Sequence, residues 1–574
     1  MASIFPAPHT VEFNRSVTLS MAEHAPAAPN KPLIMAGAMT ALFLAAIDQT
    51  IVATALPHIV AEFQGLSHLS WVFTAYMLAA TVSGPIAGKM SDLFGRRIVF
   101  IVAAVVFIAA SILAGTAQDM TQLILYRGLQ GIGAGALMVN TLAIPGDLFS
   151  LAERGRWMGL LGAVYGISSV AGPLLGGWIT DQLSWRWIFY VNVPVGAVAI
   201  GMILYAFPRS LAPTRKPAID YAGAVLLTVG LVPLLLAFVW GGVEYPWASA
   251  QILGLLATGV VGLALFVFVE SRAAEPILAP SLFTNRTFAV MAVATLLSGM
   301  GMFAAILFIP VFGQGVAGFS ATSSGLVLTP MALGMVSAAA LTGQGIARTH
   351  QYRIFGIVGM AVLAAGLYLL STMTPEVSHS GLIGRMVITG VGLGVTFPVF
   401  LIAVQNAFDQ SKLGTVTASV QMFRTIGGTL GTALFGGMMN HSLTDSLSGM
   451  GNDPVLQQLA RAGGQAAQFA TLSVNAVQNI LSVNGQAAVR GLVTRVPEAQ
   501  RAEVAAQVEH FLGAIKAGFT AAVDDVFFAA MIAAAVGAVA TLALPQLALR
   551  AGNAPGRPAD GTAPAAAAAA PPRA

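Results

Sequence analysis

Asp48 stands inside an otherwise apolar stretch, Ala46-Ile47-Asp48-Gln49-Thr50-Ile51-Val52. A carboxylate in hydrocarbon is expensive, so such a residue is expected to face the interior of a helix bundle or a water-filled cavity. It lies about 8 residues, roughly 12 Å along a helix, from the far end of its stretch. Arg127 enters another apolar stretch from that same side and reaches a similar depth, so the two side chains can meet. Pairing favours the charged form of a carboxylate, and desolvation favours the neutral form. A cavity that opens and closes beside the pair can therefore load and release a proton. The competing reading is a permanent ion pair that only fixes helix packing.

Clear of the stretch ends, where Asp220, Asp524 and Asp525 fall, Asp48 is the only acid, against Arg127, Arg385 and Arg424. A site for dications would need an acid at depth in the second half of the chain, because a desolvated cation requires an opposite charge. The expected lining is instead aromatic and amide: Phe43, Gln49, Tyr76, Gln130, Tyr165, Phe303, Phe397, Gln405, Asn406 and Gln421. Such a surface suits hydrophobic neutral or anionic compounds, bound by apolar area with a few orienting polar groups. Arg385 and Arg424 either join that site or merely satisfy backbone carbonyls. No nucleophile–base set, nucleotide loop or metal constellation is present, which excludes an enzyme. The chain has no cysteine, and its 8 histidines form no zinc-type pair, so neither metal nor cofactor is expected.

The elements that must position these residues are legible in composition. Hydrophobic residues make up 56% and charged residues 9%, with a mean hydropathy of +0.80, which points to an all-α polytopic membrane protein. A net charge of +4 is small and says nothing about nucleic acid; the expected surrounding is the lipid bilayer, with no nucleic-acid partner. Residues 1–32 are rich in Ala and Pro without a signal-peptide core and read as a disordered tail, as do residues 548–574. Between them fourteen apolar segments are long enough to span at about 20 residues each, from 33–56 to 522–545.

Lys and Arg occupy alternate links: Lys31; Lys89, Arg96 and Arg97; Arg154 and Arg156; Arg209, Arg215 and Lys216; Arg272 and Arg286; Arg348 and Arg353; Lys412; Arg550. The intervening short links carry none, with Arg186 the near-exception. The positive-inside rule then puts both termini in the cytoplasm, across the inner (cytoplasmic) membrane. The link 440–521 carries several arginines, but links this long are exempt from that rule. Its later part places Val504, Val508, Phe511, Leu512 and Ile515 at helical spacing, which predicts an amphipathic helix leading into the last span.

A faint repeat divides the chain. Arg127 with Gly131, Gly133 and Gly135 is echoed by Arg385 with Gly390, Gly392 and Gly394. This predicts six-helix bundles over 33–207 and 288–547, the second carrying 440–521 as an extracytoplasmic domain, with two inserted helices over 208–287. Within the first bundle, Gly88-Lys89-Met90-Ser91-Asp92-Leu93-Phe94-Gly95-Arg96-Arg97 must reverse the chain at once. Its cations pin it to the cytoplasmic face, and Asp92 among them reads as an ion-pair latch. The fifth stretch holds Gly162, Gly166, Gly172, Pro173, Gly176 and Gly177. Glycines four apart allow close helix approach, and a mid-helix proline bends the span.

The pattern G-x-x-x-D-x-x-G-R-R from Gly88 to Arg97 resembles the signature loop of the major facilitator superfamily. Asp48-Gln49-Thr50-Ile51-Val52 with Ala55-Leu56-Pro57 is similar to the first-helix motif of its fourteen-helix drug:proton antiporters, the EmrB/QacA type. Arg127-Gly128-Leu129-Gln130-Gly131 resembles their proton-transfer motif, and the run from Gly162 to Gly177 their antiporter motif. Trp185-Arg186-Trp187-Ile188-Phe189 with Asn192 and Pro194 resembles their sixth-helix opening. The resemblance, over most of 33–440, implies a monomeric exporter of hydrophobic compounds driven by the proton gradient through alternating access. It also implies that Asp92 latches the halves near the start of the thirteenth helix, with Asp147 accepting Arg96 or Arg97. The long link before the last span and the poorly repeated loop at Gly343–Arg353 depart from the pattern. Two rivals stay open: a proton symporter importing a small metabolite, and a membrane platform whose 440–521 segment docks a periplasmic adaptor.

Overall fold

The computed structural model describes residues 30–63, 69–207, 219–242, 245–316, 328–447, 454–457, 477, 480–481, 483–495 and 497–548. Hydrocarbon offers no partner for a backbone N–H or C=O, so each apolar run satisfies itself as a helix. In chain order these are α1 (Lys31–Phe63), α2 (Leu69–Phe94), α3 (Arg96–Gly115), α4 (Met120–Leu148), α5 (Leu151–Gln182), α6 (Asn192–Ala206), α7 (Tyr221–Trp240) and α8 (Ala250–Glu270). There follow α9 (Arg286–Gly315), α10 (Thr329–Thr349), α11 (Arg353–Leu370), α12 (His379–Ala407), α13 (Leu413–Leu447) and α14 (Arg501–Leu542).

Among the described residues, 10 helices are long and apolar enough to cross a membrane. Glycines and small polar residues dilute the apolar runs of α4, α10 and α13, which fall outside that set. α10 and α13 face the opposite bundle, against α5 and α2, where small residues allow close approach. Polar caps fix several starts: Asp119 accepts from Gln122 N, and Asn285 from Thr287 N and Phe288 N.

Helices α1–α6 pack as one bundle and α9–α14 as another, with α7 against α8 between them. The bundles meet through α2 on α13 and α5 on α10. The repeat is visible in the packing. A Cβ on Gly131 would lie 2.3 Å from Tyr76 O of α2, and one on Gly390 would lie 2.0 Å from Met331 O of α10. Gly133 faces α3 at Phe107 as Gly392 faces α11 at Leu363. The turn from α2 to α3 is one residue, Gly95, whose φ of 89° is a backbone state open to glycine at little cost.

Helix lengths depart from the apolar segments. The thirteenth continues to Leu447, and the last begins at Arg501 rather than 522. Its 42 residues span about 63 Å at 1.5 Å each, against a hydrocarbon core of about 30 Å. The amphipathic helix and the final span are therefore one rod. Val504, Val508, Phe511, Leu512 and Ile515 are buried, in a cluster with Leu443, Leu447, Val477, Ile480 and Val489. Hydropathy marks the hydrocarbon-crossing part of a helix and is blind to its continuation beyond it, so within 440–521 the stretches 440–447 and 501–521 are helix extension rather than link.

Candidate translocation site

Asp48 and Arg127 meet. α1 delivers the carboxylate, and α4 delivers Arg127 with Gln130 one turn on. Arg127 Nη1 donates to Asp48 Oδ2 at 2.5 Å and to Gln130 Oε1 at 2.6 Å. Gln130 Nε2 donates to Asp48 Oδ1 and to Ser111 Oγ, each at 2.8 Å. Asn192 of α6 donates to Asp48 Oδ1 at 2.9 Å. Arg127 Nε reaches Val72 O at 3.3 Å, and the Tyr76 ring lies 4.2 Å from the guanidinium centre. Both charged side chains are 0% exposed. Burying two ions costs several kcal/mol each before their attraction is counted. Three donors on the carboxylate and an aromatic face under the cation offset that cost.

Beside this network lies a central cavity with about 910 Å³ of atom-free space, mouth included. Gln49, next to Asp48 in the chain, lines it together with Tyr165 of α5, Phe303 of α9, Phe397 of α12, and Gln421 and Arg424 of α13. Tyr165 donates its hydroxyl to Gln49 Oε1 at 3.4 Å. Methionines 77, 138, 302, 335 and 422 also line it, as do Thr81, Ser298, Thr396 and Thr425. The sequence reading did not name these. Flexible thioethers give an adaptable apolar wall.

Six expected lining residues lie elsewhere. Tyr76 and Gln130 belong to the ion-pair network, where Tyr76 donates its hydroxyl to Ala45 O. Phe43 is partly buried in α1 against α5, its carbonyl accepting from Ser168 Oγ. Arg385 donates to Thr372 O at 3.3 Å, near the start of α12. Gln405 donates to Leu142 O at 3.2 Å and to Thr417 Oγ1 at 3.0 Å. Asn406 donates to Ala548 O at 3.3 Å, beyond the last helix. Depth along a helix is legible in a sequence; the direction a side chain takes around the axis is not.

The bundles are tied together at the end that carries the Gly88–Arg97 loop. Asp92 accepts from Gly414 N at 3.0 Å, Thr415 N at 2.9 Å and Thr415 Oγ1 at 3.1 Å, which caps the start of α13 with a carboxylate. Arg96 bridges Asp92 at 2.6 Å and Asp147 at 2.7 Å, while Arg97 donates to Leu204 O. A Cβ on Gly88 would lie 2.7 Å from Gly414 O. Along α5, Gly162 and Gly166 lie against Ala339 and Val336 of α10, and Gly172 against Thr50 beside Asp48. Gly176 accepts from Thr180 Oγ1, Gly177 has open space where a Cβ would stand, and the Pro173 side chain lies outside the described residues. Lys89 reaches Glu275 after α8 at 2.6 Å. At the other end, Arg186 pairs with Glu62 at 2.8 Å, so the near-exception in the charge pattern is a neutralised cation. The Trp185 indole N–H and Arg186 hold the Glu62 carboxyl below its usual range.

Asp92→Asn removes the charge that caps α13 and receives Arg96. A doubled loop-end opening rate in hydrogen exchange of the Gly414–Ser419 amides is the least we expect, with reduced transport. Unchanged exchange at these amides would show that Asp92 does not hold the two bundles together.

Two helix bundles related by an internal repeat, enclosing a cavity beside a buried ion pair, define a transporter of multi-pass membrane type. The family model described as Major Facilitator Superfamily matches residues 38–432, and the chain belongs to that superfamily. It is 40% identical over 519 residues to the multidrug transporter protein MdtP of Bacillus subtilis, covering 90% of this chain and 94% of the relative. It is 39% identical to multidrug resistance protein 3 of the same organism, covering 76% and 84%. The fold is also that of the human organic anion transporter MFSD10, with a TM-score of 0.54 at 14% identity over 88% of this chain and 100% of that one.

Proposed function

We propose that the protein is a proton-coupled antiporter that exports hydrophobic and amphipathic small molecules across the inner membrane by alternating access. It acts as a monomer with fourteen spans and cytoplasmic termini. The observation that carries this reading is the fully buried Asp48–Arg127 pair immediately behind a cavity lined by Gln49, aromatic and methionine side chains. Proton exchange at Asp48 then depends on which end of the bundle is open, and the proton gradient supplies the work. Relatives named as a multidrug transporter and a multidrug resistance protein support the same reading. The deciding experiment reconstitutes the full chain in liposomes and follows internal pH as candidate compounds are added. Compound-dependent proton movement opposite to compound movement supports antiport; movement in the same direction means symport and sinks it.

Topology offers a separate check. Reporter fusions after Arg97 and Lys412 are expected to read cytoplasmic, and one after Gly242 to read external. A cytoplasmic signal at Gly242 would mean that α7 and α8 do not both span, and the count of fourteen would fall.

A further inference from the structure

Arg424 is the one charged side chain that lines the central cavity among the described residues. It is 8% exposed, and its Nε has no hydrogen-bond partner. Its guanidinium carbon lies 4.4 Å from the centroid of the Phe397 ring. The other deeply buried arginines with ion pairs differ: Arg127 holds Asp48, and Arg96 holds Asp92 and Asp147. No carboxylate stands within ion-pair distance of Arg424 among the described residues. A buried cation left without its counterion is destabilising, and this one lines the cavity with its guanidinium against the Phe397 ring.

We infer that Arg424 is the anion subsite of this cavity, holding the carboxylate or sulfonate of an amphipathic monoanion whose apolar body lies against Phe397 and Phe303. This rests on the export reading above and names its substrate class. Guanidinium is suited to the task because its planar fork can take both oxygens of such a group while its face stays on an aromatic ring. Gln421, Tyr165 and Thr425 supply further polar groups around the same space. A cationic substrate would meet Arg424 with no cavity acid to compensate, because Asp48 is already engaged by three donors and 0% exposed.

The test uses the purified full chain and three probes with one aromatic body: 1-naphthaleneacetate, its methyl ester, and trimethyl(1-naphthylmethyl)ammonium. Calorimetry is expected to give the carboxylate at least about tenfold tighter binding than the ester, the gain expected of a charge-assisted pair. Arg424→Gln should remove that preference and leave the ester within twofold, and Arg424→Lys should retain part of it. If Arg424→Gln fails to fold, the wild-type ratio decides: ester or ammonium binding as tightly as the carboxylate overturns the subsite. Unchanged carboxylate affinity in a folded Arg424→Gln protein overturns it as well. Proton movement in liposomes separates the two readings. Ester-driven proton exchange without a carboxylate preference leaves export standing and removes the anion subsite. A carboxylate preference without proton exchange does the reverse.

Discussion

Asp48→Asn is expected to abolish uphill export while leaving compound binding measurable. A proton entering down 100 mV contributes about 2.3 kcal/mol, which corresponds to roughly fiftyfold accumulation per proton at 1.36 kcal/mol per decade. A transporter without its proton carrier can still rock between states, but it only equilibrates its compound. The variant should therefore show counterflow with no concentration gradient at steady state. Stability complicates the single substitution, because it strands Arg127, which is 0% exposed, and breaking a buried pair costs about 3–5 kcal/mol. The double variant Asp48→Asn with Arg127→Gln removes both charges at once and is expected to recover much of that loss. The two readings of the pair then part. If the pair only fixes packing, the stabilised double variant accumulates compound like the native chain; if Asp48 carries the proton, it does not. A native-size gradient in the double variant would sink the carrier assignment.

The parts of this site that were legible from sequence are those encoded by depth and charge. A lone acid and a cation at matching distance from the same boundary can meet, and Asp48 and Arg127 do. The loop at Gly88–Arg97 announced itself because charges between apolar runs have nowhere else to go. The parts that were not legible depend on rotation about helix axes. In a soluble amphipathic helix the polar face reveals the phase, but α1, α4 and α13 are apolar or glycine-rich almost all round. Gln421 and Arg424 thus face the cavity while Gln405 and Asn406, at comparable polarity, turn to Leu142 and Ala548. Ser111 was overlooked because a single serine in an apolar helix is unremarkable until Gln130 and Asn192 converge on it. Asn192 stood out only as part of a motif, with no hint that it donates to Asp48.

Gly343→Val is expected to drive the loop end of the molecule open. A Cβ on Gly343 would sit 1.9 Å from Gly155 O, and one on Gly155 would sit 2.3 Å from Gly343 O. The obstruction is backbone on both sides, so no rotamer change relieves it. α5 and α10 must separate where they now touch, at the same end as the Asp92 contacts with α13. Overpacking of this kind costs about 1–3 kcal/mol, enough to move a two-state equilibrium by roughly 5- to 150-fold. Under the proposed alternating access the strain falls on the state in which this end is shut, and the substitution is expected to bias the cycle rather than unfold a bundle. The native chain has no cysteine, which makes the measurement direct. Spin labels at Arg156→Cys on α5 and Arg348→Cys on α10, both exposed positions, report the separation. The native background should show a short-distance population that Gly343→Val depletes, with export falling at least about tenfold for a shift of 1.4 kcal/mol. Gly343→Ala, smaller but still obstructed, should give an intermediate distribution. An unchanged distance distribution in Gly343→Val would mean that the seam is not part of the moving gate, and α5 and α10 would then travel together as one rigid unit.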